Sequence, residues 1–134
     1  MAESYDGYLP GLNYTFGYFA QMNPAALELA LLGAGLEPPK ITKALELGYG
    51  QGLSLNAHAA AGEVEWWGVD INAEHAAMAK SFAHACGSDV HITDESFNEF
   101  KERDDLPLFD FIALHGVWSW VSADNRRTIK AIID

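Results

Sequence analysis

ALELGYGQGLSL, residues 44–55, decides how this chain is read. Ala44-Leu45-Glu46-Leu47, with Ile41 before it, is short and apolar and reads as the end of a buried strand. Gly48, Gly50 and Gly52 follow at every second position, and then Leu53, Leu55, Ala57, Ala59 and Ala60 suit a helix. A strand, a glycine loop and a helix in succession is where nucleotide-like ligands are gripped. Yet no lysine and Ser/Thr follow the last glycine, so this is not a G-x-x-x-x-G-K-[ST] loop. Nor is it G-x-G-x-x-G, because the third glycine comes one residue early. The loop offers close backbone approach without a phosphate-binding lysine.

The rest of the chain narrows the class. Its 134 residues suffice for one domain with one core, and 49% of them are hydrophobic. A formal net charge of -11 repels a nucleic-acid backbone and an anionic membrane alike. The eight Lys and Arg are scattered, and none precedes Lys40. Glu3 and Asp6 stand where a secretory signal would be basic, and no apolar run approaches a membrane span. The single cysteine, Cys86, excludes an internal disulfide and reads as a small core residue. His58, His75, His84 and His91 lack metal-ligand spacing, so no metal is read. These features predict a cytoplasmic protein with no nucleic-acid or membrane partner.

Residues 1–22 form an arm rich in Tyr, Phe and Gly, and residues 23–134 form the domain proper. Asn23-Pro24 starts a helix with Leu27, Leu31 and Ala34 at helical spacing, ended by Gly35 and Pro38-Pro39. Val64 to Val69 reads as a second strand, with Asp70 at its end. Asn72 caps a helix from Ala73 to Cys86, stopped by Gly87. Val90 to Ile92 is a short strand, Ser96 to Lys101 a short helix, and Phe109 to Leu114 a fourth strand. Ser122 caps a last helix in which Ile129, Ile132 and Ile133 share a face. Strands alternating with helices imply an α/β fold with a mostly parallel sheet.

Two features combine. The glycine loop follows the first strand, and Asp70 ends the second about 20 residues on, where dinucleotide folds place an acid for ribose hydroxyls. A carboxylate is acceptor-only and takes two hydroxyls at once. Glu46 adds a second carboxylate before the loop. Such a site disfavours a pyrophosphate and favours a cationic ligand that carries a ribose. S-adenosyl-L-methionine has a sulfonium, an ammonium, a ribose and no phosphate.

ALELGYGQG resembles motif I of the class I S-adenosylmethionine-dependent methyltransferases, and GVDIN resembles their second motif. YTFGYFAQMNPAALELALLGAGLEPP, DESFNEF and FDFIALHGVWSWVSADNR resemble a bacterial subgroup that carries a methyltransferase regulatory domain and includes protein-lysine methyltransferases. The resemblance implies a Rossmann-like class I methyltransferase fold with strand order 3-2-1-4, of which this chain looks like the N-terminal part. The family continues through three more strands, whereas this sequence stops after the fourth strand and its helix. It implies methyl transfer to a protein side chain or small molecule, with S-adenosyl-L-homocysteine as product. Gly48, Tyr49, Gly50 and Gly52 would line the methionine and ribose, and Glu46 would orient the loop or meet the ammonium. Asp70 would bind the ribose, Ile71 would pack on adenine, and Asp94, Ser96 and Phe97 would lie near that ring. His115 would sit where the methyl emerges, as a cofactor contact and candidate catalytic group. Trp118, Trp120, Tyr14 and Tyr18 would wall the substrate pocket.

The family's usual small residue in motif I is Tyr49 here, which would narrow the loop. A fourth strand at the sheet edge, apolar and uncharged, would pair with a second copy, giving a homodimer. Bland alternatives stay open: a strand-end packing role for His115, packing roles for the Trp and Tyr residues, and solvated loops at Asp94-Glu95 and Asp104-Asp105. The rival functions are a non-catalytic cofactor-binding or oligomerising remnant and, against the glycine register, a dinucleotide oxidoreductase module.

Overall fold

β1 (Lys43–Leu47) is the axis of the molecule, with four of its five residues buried. It pairs in parallel with β2 (Glu65–Val69) on one side and β4 (Phe111–Leu114) on the other. β2 pairs in parallel with β3 (Val90–Thr93), so the sheet order is β3-β2-β1-β4, as expected. The computed structural model describes residues 16–134. The helices are α1 (Pro24–Gly33), α2 (Leu53–Ala61), α3 (Ala73–Cys86), α4 (Phe97–Lys101) and α5 (Ala123–Ile133), with a single 3-10 turn at Ala20–Met22.

Alternation along the strands separates two cores. Leu45, Leu47, Trp67 and Val69 meet Phe97 and Phe100 of α4 and Ile129 of α5. Ala44 and Trp66 point the other way, towards Leu55 of α2 and Ala76 and Ala79 of α3. Gly68 makes the second core possible. A Cβ there would lie 2.5 Å from Leu55 Cδ2 and 2.8 Å from Tyr49 Cδ1. A bare position in a strand thus marks close approach by a neighbour.

Helix ends follow the capping residues. Asn72 accepts the N–H groups of Glu74 and His75, and Gly87 closes α3 in the left-handed region, as its sequence predicts. Ser96 and Glu99 form a reciprocal capping box on α4, and Ser122 caps α5.

Three expectations about these elements are corrected. β4 starts at Phe111 rather than Phe109, because Asp110 is spent as a bracket. Its carboxylate accepts from Thr42 N and Oγ1 and from Lys43 N at 2.8, 2.8 and 3.0 Å. Cys86 is exposed, not core. Ile133 is half exposed while Ile129 and Ile132 pack on the first core. α1 forms between its predicted caps but buries little, leaving Leu27, Leu29 and Leu32, and Leu36 beyond it, exposed.

Candidate functional site

The crevice at the carboxyl ends of β1 and β4 is the switch point of the sheet, where open α/β folds bind ligands. β1 runs straight into the glycine loop. Gly48, Gly50 and Gly52 all have positive φ, at 71°, 56° and 76°. Two of them are locked by neighbours: a Cβ would lie 2.5 Å from Val117 Cγ2 at Gly48 and 2.5 Å from Ala79 Cβ at Gly52. Gly50 has open space, with nothing within 4 Å of such a Cβ. The loop therefore turns tightly at its ends and leaves its middle free for a ligand.

A cleft of about 220 Å³ lies beside this loop. Whole small-molecule sites run to roughly 300–1,000 Å³, so the cleft suits one end of a nucleoside-sized ligand. Glu46, Gly48, Tyr49, Gly50, Gly52, His115 and Trp120 border it together, as does the segment of Gly17, Phe19 and Met22. No lysine or arginine is among its lining residues.

Glu46 is the unusual group. It is only 3% exposed, and its Oε2 has no hydrogen-bond partner among the described residues. Burial, and then the charge of Asp70, push its carboxyl up from 4.5 to about 8. A buried acid kept without a partner is the mark of a place a cation completes.

Asp70 is joined to the cleft through the loop. Its Oδ2 accepts the Gly50 N–H at 3.0 Å, its Oδ1 accepts the Asn72 N–H at 2.9 Å, and His75 Nδ1 stands 3.6 Å away. Tyr49 does not narrow the loop with its ring. The ring is buried in the second core, and its hydroxyl donates to Thr93 O at 2.9 Å. Burial raises this phenol far above its ordinary value, so it stays a donor.

At the end of β4, the His115 ring stacks on Phe19, with centroids 4.0 Å apart and planes at 28°. Trp120 is half exposed at the cleft. Trp118 does not border it, and Arg126 lies over its ring while donating to its carbonyl. Tyr18 is set edge-on to His58, also off the cleft. Ile71 follows Asp70 and is partly buried. Ser96 is committed to the α4 cap and Phe97 to the first core. Asp94 is exposed, with Lys80 at 3.7 Å. Tyr14 lies outside the described residues. Phe19, one of the arm's aromatics, borders the cleft, as do Met22 and Ser54, which the sequence did not single out. Nothing in local periodicity distinguishes those two, since both meet the site through tertiary contacts.

A family model for a methyltransferase domain matches residues 44–134. An uncharacterized protein of Synechocystis, sll1526, is 37% identical over 133 residues, covering 96% of this chain and 26% of that protein. PKMT2 from Rickettsia typhi, solved in complex with AdoHcy, is 26% identical with a TM-score of 0.75, over 90% of this chain and 24% of that one. A SAM-dependent methyltransferase from Thiobacillus denitrificans, solved with S-adenosyl-L-homocysteine, is 27% identical with a TM-score of 0.56, over 84% of this chain and 45% of that one. The chain thus spans about a quarter of the length of sll1526 and of PKMT2.

Proposed function

The chain belongs to the methyltransferase-domain family, and on that premise we propose that it is an S-adenosyl-L-methionine-dependent methyltransferase acting on a protein side chain or a small molecule. One observation carries this reading: Glu46 Oε2, buried and unpartnered, borders a cleft without cations next to the open middle of the glycine loop. A cationic, phosphate-free ligand answers that chemistry, and a dinucleotide does not.

In this reading Glu46 receives the ammonium of the methionine part, and Gly48 and Gly50 lie along it. Asp70 meets the ribose hydroxyls with lone pairs beyond those taken by Gly50 and Asn72. Ile71 and the backbone of residues 94–97 frame the adenine, since the Ser96 and Phe97 side chains are already committed. When bound, S-adenosyl-L-methionine supplies an electrophilic sulfonium methyl for in-line displacement, leaving S-adenosyl-L-homocysteine. The protein's part is to hold, orient and neutralise. Glu46 is protonated in the free protein at neutral pH, and an arriving cation favours its ionised form, so binding releases a proton. His115 stands at the cleft to take a proton from the acceptor, although positioning alone supplies much of such catalysis. The acidic balance of the chain favours a basic protein segment or a small molecule over nucleic acid.

The same proposal places the chain in the bacterial subgroup with a regulatory domain, as its N-terminal part, with residues 1–22 as an arm on the domain. No helix among the described residues is long and apolar enough to cross a membrane, which is compatible with work in the cytoplasm. β4 pairs only with β1 among the described residues, and we assign its free edge to a second copy of the chain. A strictly monomeric mass by light scattering at high protein concentration would rule that out.

The test of the function is calorimetric titration with S-adenosyl-L-homocysteine, with NADH as control. Micromolar or tighter binding of the first alone is expected. Binding of NADH instead, or of neither, overturns the proposal.

A further inference from the structure

We propose that Ser54 is a positioning residue: its hydroxyl holds residues 17–19 on α2 and so sets Phe19 against His115 as the aromatic wall of the cleft. The inference rests on the methyltransferase reading and names the residue that builds the acceptor-side wall of that site.

Ser54 lies in the first turn of α2, two residues past Gly52, and is 3% exposed. A serine there ordinarily serves its own helix or water. This one accepts the Phe19 N–H at 2.8 Å and donates to Gly17 O at 3.4 Å, across 35 and 37 residues of chain. One turn further along α2, His58 lies on the same face and meets the Tyr18 ring edge-on at 5.3 Å. Three consecutive residues are thus taken up by one helix face: Gly17 and Phe19 by Ser54, and Tyr18 by His58. Neither nitrogen of His58 has a hydrogen-bond partner among the described residues, and its ring lies as a plate between Tyr18 and Trp66.

The segment then delivers Phe19. A Cβ at Gly17 would lie 3.0 Å from Phe19 Cζ, so glycine lets the ring fold back over its own backbone. The ring lands on His115, 4.0 Å between centroids, and both border the cleft with Trp120. Because Gly52 is the N-cap of α2 and Ser54 sits in its first turn, the loop that receives the donor and the wall beside it share one short rigid piece. A shift of that turn on ligand binding is passed to Phe19 through two hydrogen bonds.

The test compares the parent chain with Ser54→Ala, Phe19→Ala and the double variant. Amide exchange reports the clamp, and stopped-flow release of S-adenosyl-L-homocysteine reports the cleft. Loss of the clamp should speed exchange at Phe19 and raise the release rate roughly fivefold, the weight of one hydrogen bond. The double variant should release ligand no faster than Phe19→Ala alone, which a merely structural role for Ser54 would not produce. Unchanged exchange at Phe19 in Ser54→Ala, or additive effects on release, overturns the proposal. If the parent chain binds no S-adenosyl-L-homocysteine, the methyltransferase reading fails first; altered exchange would then make Ser54 a structural clamp only, and the positioning role falls with the site.

Discussion

β1 and β2 lie side by side, and each carries one carboxylate near its end: Glu46 borders the cleft, while Asp70 reaches it only through the glycine loop, and the fold treats the two oppositely. At the end of β2, Asp70 is finished by the chain itself, which donates the N–H groups of Gly50 and Asn72 to it. Near the end of β1, Glu46 is deeper and its Oε2 has no partner among the described residues. The first acid braces the loop whether or not a ligand arrives. The second costs the folded state whenever it ionises, and an incoming cation would offset that cost. Such a cost marks function better than a motif does, because packing alone would have replaced it.

The sharpest way to break this contrast is Glu46→Gln. The Glu46 carboxyl is raised from 4.5 to about 8, so the folded state prefers it protonated. Its contribution is complete below about 4.5 and is lost as pH rises to about 8, because the unfolded chain ionises first. Glu46→Gln should therefore be more stable than the parent at pH 8 by roughly 2–4 kcal/mol in urea unfolding, with the difference vanishing near pH 4. The same variant should bind S-adenosyl-L-homocysteine more weakly and lose the rise in affinity that the parent shows through pH 8. A variant no more stable than the parent at pH 8 would mean that Glu46 finds a partner in solution.

Asp70→Ala comes next. It should weaken S-adenosyl-L-homocysteine binding by about 1.5–3 kcal/mol, the weight of charge-assisted hydrogen bonds, with exchange at the Gly50 amide speeding up in the free protein. Unaltered affinity would reduce Asp70 to a brace and nothing more. Ser96→Ala probes the proposed adenine side, where Ser96 and Glu99 cap α4. Loss of its capping box should cost about 1 kcal/mol in thermal unfolding and leave affinity unchanged. A marked loss of affinity there would return the Ser96 side chain to the adenine site.

The smallest effect belongs to His58, a base where Glu46 is an acid. Burial lowers its pKa from 6.5, so the neutral ring is the folded form. That contribution is intact above 6.5 and is lost as pH falls towards the depressed folded value. His58→Phe should flatten the decline in stability as pH falls below 6.5, read by urea unfolding across that range. An unchanged decline would assign it to other groups.

Much of this was legible in the sequence wherever a local signal fixes local structure. The bounds of α3 follow from Asn72 and Gly87, the parallel sheet follows from strands alternating with helices, and the strand order follows from the family resemblance. The signal failed where a side chain's business lies far along the chain. Asp110 looks like a strand residue until Thr42 is beside it, and Cys86 looks like core until α3 is placed on the sheet. In the site, Glu46 and the glycines stand at a strand end that the sequence marks, and His115, which the resemblance implied, borders the same cleft. The direction of the Tyr49 ring depends on a missing side chain at Gly68, and the place of Phe19 depends on Ser54. Neither is encoded in any window of neighbouring residues.

α1 has a consequence for handling the protein. Leu27, Leu29, Leu32 and Leu36 face water on a chain whose net charge is -11. The leucines pull copies together at short range, while the like charges hold them apart over about 10 Å at 0.1 M salt. Added salt shortens the second reach and leaves the first intact, and sulfate strengthens it. The chain should therefore behave as a charge-stabilised colloid, dispersed in dilute buffer and clustering as salt is raised. Light scattering along a salt ramp would separate this gradual, open-ended association from the closed pairing expected at the β4 edge.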